Sequence, residues 1–133
     1  VSGLPMAPFG SYITSRDMLK LGTLTINKGK WNGEQLIPKG FIAKATNRIV
    51  HRGEDDIFFT DKNVSKPGYG YYWWQADMQV GDKSYFTTSA QGGGGQYVIL
   101  VDELDLVIAI TGHDREDKIF AQVVEKVLPA FVE

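Results

Sequence analysis

The residues of this 133-residue chain best suited to form a site are Ser89, Ala90, Gln91, Gly92, Gly93 and Gly94. Four consecutive glycines, residues 92–95, lead into an apolar run at 97–101, and an acidic break at 102–105 precedes a second run at 106–110. Glycine removes the side chain where a ligand or another backbone must come close, and it tolerates positive φ. The cluster is therefore either a tight corner between strands or one wall of a site. It is not a phosphate loop, because no Gly-Lys-Ser/Thr follows and the next element reads as a strand. The remaining chemistry-bearing residues read more plainly. His113 has the chemistry of a general base, but it lies in a loop just before a helix start, and His51 reads as a surface residue. Neither histidine belongs to a His-x-x-x-His pair. Glu54-Asp55-Asp56 lacks the alternating ligands of a calcium loop and reads as a solvated acidic segment. No metal or cofactor is expected. Trp73 and Trp74 alternate across a strand, which sends one to the core and leaves the other to line a cleft or cover a sheet face.

The elements that position these residues follow from periodicity. The runs at 97–101 and 106–110 are short, apolar and β-branched, the pattern of neighbouring strands buried on both faces. Residues 71–80 are aromatic-rich and strand-like, and Gly81-Asp82 turns them into a strand over 83–90. Thr14-Ser15-Arg16-Asp17 is a capping box for a helix over about 15–28, with Met18, Leu21 and Leu24 at helical spacing and Lys28-Gly29 closing it. Asn32-Gly33 signals a very small type I′ hairpin. Pro38 suits a first helical position, with Phe41, Ile42 and Ala45 as the apolar face of a second helix. Residues 50–70 carry no period and read as a long surface excursion. Asp114-Arg115-Glu116-Asp117 is another capping box, and Phe120, Val123, Val124, Val127 and Leu128 form an apolar stripe that Pro129 ends. The expectation is an α+β domain: an antiparallel meander of about four strands, a C-terminal helix on one face and two earlier helices. Either those early helices or a further segment would cover the second face.

Composition narrows the function. At 43% apolar and 23% charged residues the chain is an ordinary globular one, long enough for a single good core. A net charge of −2 makes no electrostatic case for nucleic acid or an anionic membrane. Without cysteine there is neither a disulfide framework nor a thiolate zinc site. No stretch approaches the ~20 apolar residues that span a bilayer. The opening Val1-Ser2-Gly3-Leu4-Pro5 reads as mid-protein coil, so a fragment is expected.

Four stretches resemble one family. Residues 10–22 (GSYITSRDMLKLG), residues 31–38 (WNGEQLIP), residues 68–74 (GYGYYWW) and residues 90–111 resemble, in order, stretches of the serine β-lactamase-like hydrolases. These are the class C β-lactamase, penicillin-binding-protein and esterase superfamily. The resemblance implies the C-terminal portion of a larger α/β sandwich whose central sheet is built from both chain ends. It also implies acyl transfer through the serine of a Ser-x-x-Lys motif, a Tyr-x-Asn motif for acid/base help, and a third motif on a sheet edge strand. An activated serine needs a neighbouring base and an oxyanion hole, so the three must converge. Three positions after its six serines this chain has Pro5, Thr14, Met18, Gly68, Thr87 and Gly92, so no Ser-x-x-Lys exists, and no Tyr-x-Asn does either. The counterpart of the third motif is Ser89-Ala90-Gln91-Gly92-Gly93, without its usual Lys or His.

Those residues set the leading expectation. The chain contributes sheet and one substrate-binding wall, at Ser89–Gly94, to an esterase- or amidase-type hydrolase whose nucleophile lies elsewhere. The partners are then a small ester or amide substrate and the N-terminal part of the same fold. By resemblance alone the setting is periplasmic or otherwise extracytoplasmic. Two competitors stand beside this reading. One is a non-catalytic module that holds a peptide or glycan with the aromatic strand and the glycine-rich edge. The other is a structural domain that dimerises through an exposed sheet edge.

Overall fold

The computed structural model describes residues 12–53, 61–113 and 118–132. Three helical segments and two antiparallel sheets form an α+β fold. The first helix, α1 (Ser15–Ile26), starts where the capping box places it: the Thr14 hydroxyl accepts from the Asp17 amide at 3.2 Å. Lys20 and Thr14 donate to the Asp17 carboxylate, at 2.7 and 2.8 Å, and hold it below the usual carboxylate range. The hairpin β1 (Lys30–Trp31) and β2 (Glu34–Gln35) turns through Asn32 at φ 48° and Gly33 at φ 86°, the two positive φ values that type I′ requires. Helix α2 (Lys39–Ala45) buries Ile42 and Ala45 but leaves Phe41 exposed, and Pro38 is its cap rather than its first helical residue.

The main sheet has six strands rather than about four. They are β3 (Val50–His51), β4 (Val64–Tyr69), β5 (Trp74–Val80), β6 (Lys83–Gly92), β7 (Gln96–Val101) and β8 (Leu106–Thr111), each beside its sequence neighbour. The last four are the expected meander. The first two arise from the stretch read as aperiodic surface chain, which pairs Val50 with Tyr69 and Val64 with Met78. Pro67 and Gly68 hid that strand. They sit at an irregularity between Ser65 and Gly68, where Lys66 takes φ 50°, one of the few places a sheet accepts proline. The acidic segment Glu54-Asp55-Asp56 and the capping box at 114–117 lie outside the described residues.

Alternation along the strands makes two unequal faces. Ala76, Met78, Tyr85, Tyr97, Ile99 and Val101 point to one side. There they pack with Ile119, Phe120, Val123, Val124 and Leu128 of the C-terminal helical segment. That segment, α3, runs from Ile119–Gln122 through a π turn at Val123–Val127 to a 3₁₀ turn at Leu128–Ala130 that contains Pro129. Its stripe is buried except for Val127, which the wider π turn leaves half-buried. On the other side α1 lays Met18 against Val98 and Leu100. Gly22 permits the close approach: a Cβ there would lie 2.5 Å from Val107 Cγ1 and 2.8 Å from Val98 Cγ1. The second face is thus covered by the first helix, one of the two alternatives the sequence left open. Strand β7 is buried on both faces, as expected. Strand β8 is not: its residues 106–110 are half-buried, because it is the sheet's edge and lacks a second strand neighbour among the described residues. Lys28, at the end of α1, pairs with Asp102 in the turn between β7 and β8.

Candidate functional site

The sheet is open at one point inside its own width. Strand β5 pairs with β6 from Val80–Lys83 up to Trp74–Ser89 and stops there. Strand β7 continues along the opposite side of β6 for three more pairs, to Gly92–Gln96. Among the described residues, Ala90, Gln91 and Gly92 therefore have a strand on one side only. A continuation of β5 would set Trp73 opposite Ala90 and Tyr72 opposite Gln91, but the chain leaves the sheet before that point. The Gly70 amide donates to the Trp73 carbonyl at 2.7 Å, and the Tyr71 amide donates to the Ala45 carbonyl of α2 at 3.0 Å. Between them Tyr72 takes φ 61°, a strained conformation for an aromatic residue. The strand expected over 71–80 thus begins at Trp74, and the three residues before it form a kink beside the open end of β6.

The sequence-derived site residues divide along this strand end. Ser89 is 2% exposed, and its Oγ accepts from Gln91 Nε2 at 3.0 Å. A hydroxyl so buried and so engaged is not placed to attack a substrate. Ala90 turns to the other face and packs beside the Met18 cluster. Gly92 closes the ladder with Gln96, and Gly93, Gly94 and Gly95 form the turn. Positive φ values of 92° at Gly94 and 96° at Gly95 account for two of the four glycines. Gln96 anchors the turn from within, its Nε2 donating to the Gly112 carbonyl at 2.9 Å. The glycine run is therefore the corner, and what lies open beside it is the end of β6.

The two tryptophans go to opposite faces. Trp73 packs with the Met18 cluster and Trp74 with the larger core, where Arg52 stacks 5.6 Å from its ring centroid. Neither is the free cleft aromatic. That exposure belongs to Tyr72, at 73%, together with Tyr71 and Phe41, whose rings lie 6.4 Å apart with Lys44 Nζ 5.4 Å from the Tyr71 centroid. His51, in β3, and His113 are exposed, as expected. Among the described residues no group of three His, Cys, Asp or Glu side chains could hold a metal ion. Among the described residues no helix is long and apolar enough to cross a membrane.

One polar cluster escaped the sequence reading. On the α1 side of the sheet, Asp77 accepts from Arg48 Nη2 at 2.7 Å and from Lys66 Nζ at 2.8 Å. Burial opposes its ionisation, but the hydrogen bonds and charges of Lys66 and Arg48 outweigh that, so its carboxyl lies below the usual range. Arg48 also lies over the Phe86 ring, 5.1 Å from its centroid. The only signal was Gln75, Asp77 and Gln79 recurring at every second position of β5, which any half-solvated strand shows.

No family model matches the sequence, and no curated protein matches it. Among solved structures, a putative 6-aminohexanoate-dimer hydrolase from Bacillus anthracis is similar, with a TM-score of 0.56 and 20% identity. The match covers 84% of this chain and 27% of that chain, so this chain spans about a quarter of its neighbour's length. At that identity the likeness is one of fold, shared with part of a larger protein.

Proposed function

We propose that this chain is the C-terminal portion of a β-lactamase-like serine hydrolase of the esterase or amidase type. In this reading it supplies part of the central sheet and one wall of the active site but not the nucleophile. The observation that carries it is the open end of β6 at residues 90–92, which among the described residues has a strand on one side only and so leaves an edge that can meet an extended ester or amide. Support comes from the four stretches in family order and from the fold shared with part of a longer hydrolase. The edge of β8 fits the same account. It presents Leu-Val-Ile-Ala-Ile-Thr without charge or proline, an edge that soluble proteins normally cover. A strand from the rest of the fold would cover it. The absence of a Lys or His in Ser89-Ala90-Gln91-Gly92-Gly93 argues against a β-lactam substrate and for a small ester or linear amide.

The test is covalent labelling of the folded 133-residue chain with a fluorophosphonate and with a penicillin probe, read by intact mass. The proposal expects no adduct. A labelled serine would overturn it. A second reading draws on the exposed Tyr71, Tyr72 and Phe41: a module that binds a ligand by aromatic stacking without catalysis. Saturable binding by this chain alone, lost in Tyr72→Ala, would favour that reading.

A further inference from the structure

Two buried polar atoms in the described structure have no hydrogen-bond partner: Arg48 Nε, a donor, and Gln75 Oε1, an acceptor. They are neighbours by construction. Gln75 and Gly68 are register partners across β4 and β5, so they share a face of the sheet. On that face a Cβ at Gly68 would collide with the Arg48 side chain, its Nε lying 3.0 Å from the position such an atom would take. Two positions along β5, also on this face, Asp77 holds the Arg48 head. The guanidinium stem therefore runs over Gly68 beside Gln75, and donor and acceptor lie on the same side. Thr88, the buried register partner of Gln75 on β6, adds a third polar group there.

We propose that one buried water molecule bridges Arg48 Nε and Gln75 Oε1 and fixes the orientation of the Gln75 carboxamide. Buried donors and acceptors are nearly always satisfied, and an internal water needs two to four such partners. The consequence reaches the open strand end. With Oε1 held by the water, the other end of the carboxamide is directed at Trp73, whose carbonyl accepts from Gln75 Nε2 at 2.9 Å. That same carbonyl accepts from the Gly70 amide. Gln75, itself 0% exposed, is thus a positioning residue for the kink that takes the chain off the sheet and uncovers residues 90–92. The inference does not depend on the hydrolase reading, since its readouts are solvent position and amide exchange rather than turnover.

A high-resolution crystal structure of the 133-residue chain tests the first half. An ordered solvent oxygen within hydrogen-bond distance of both Arg48 Nε and Gln75 Oε1 is expected. A direct contact between the two side chains, or no solvent between them, would overturn the proposal. Amide hydrogen exchange in Arg48→Lys tests the second half, because lysine keeps a charge for Asp77 but has no Nε. Exchange at Gly70 should quicken by roughly tenfold while Ile99, in the core, keeps its protection. Unchanged exchange at Gly70 would contradict the link between water and kink. Should that variant not fold, Gln75→Met, which removes donor and acceptor together, carries the same expectation at Gly70.

Discussion

The two faces of the main sheet are built on different principles. Under α3 the sheet is mostly apolar, with Met78, Ile99, Val101, Val123 and Leu128 essentially without solvent exposure and Thr87 and Ser89 as its buried polar residues. Under α1 a small apolar cluster around Met18 shares the face with Gln75, Asp77, Arg48 and Thr88. The first face stabilises by burial, which is non-directional and tolerant of small shifts. The second is tied together by directional bonds, and it is the one adjoining the kink at 70–73. Cohesion and placement are thereby separated: one face holds the domain together while the other aims the strand end.

Substitutions can break or sharpen that contrast, beginning with the largest effect. Ile99→Ala removes a fully buried side chain from the α3 face and should cost about 3–4 kcal/mol. Val98→Ala, one residue along and on the α1 face, deletes less and should cost about 2 kcal/mol. Urea unfolding of both variants measures the difference, and equal losses would erase the contrast. On the second face, Asp77→Asn keeps the shape but removes the charge that Arg48 and Lys66 address, with an expected loss of about 2–3 kcal/mol. The sign with pH follows from its lowered pKa. The contribution of Asp77 is complete above the ordinary aspartate value of about 3.9, and it is lost as pH falls through the lower folded value. Thermal melts between neutral pH and pH 2 should therefore show a shallower acid decline in Asp77→Asn than in the parent chain.

The glycine turn supplies the finest comparison. Gly94→Ala places a Cβ at φ 92° and should cost about 1–2 kcal/mol. At Gly93 a Cβ meets nothing within 4 Å and φ is not positive, so Gly93→Ala should change stability by less than about 0.5 kcal/mol. Thermal unfolding of the two variants distinguishes a turn that needs glycine for its backbone from a loop that merely contains it.

What the sequence made legible was local. Thr14 and Asp17 cap a helix through contacts three residues apart, Asn32-Gly33 specifies its turn by itself, and the apolar run at 97–101 declares a strand buried on both faces. What stayed hidden depends on distant partners. Residues 64–69 contain proline and glycine and become a strand only because β5 lies alongside them. Residues 71–73 look like strand but are drawn off by the Ala45 carbonyl, which no local pattern announces. Leu106 to Ile110 has the composition of an interior strand, yet among the described residues it is an edge. Arg48 and Asp77 are 29 positions apart, so their pairing carries no sequence signature. Ser89–Gly94 stands out in the sequence because glycine clusters are conspicuous, while the early end of β5 beside it, at Trp74, has no local signature.

The measurement closest to the central claim is an amide chemical-shift titration of the folded 133-residue chain with a short linear amide. If the open end of β6 is a substrate wall, saturable shifts should concentrate at residues 90–94 and 71–73 and leave the α3 face unchanged. Saturable shifts confined to another surface, such as the Arg52–Trp74 stack or the β8 edge, would contradict it.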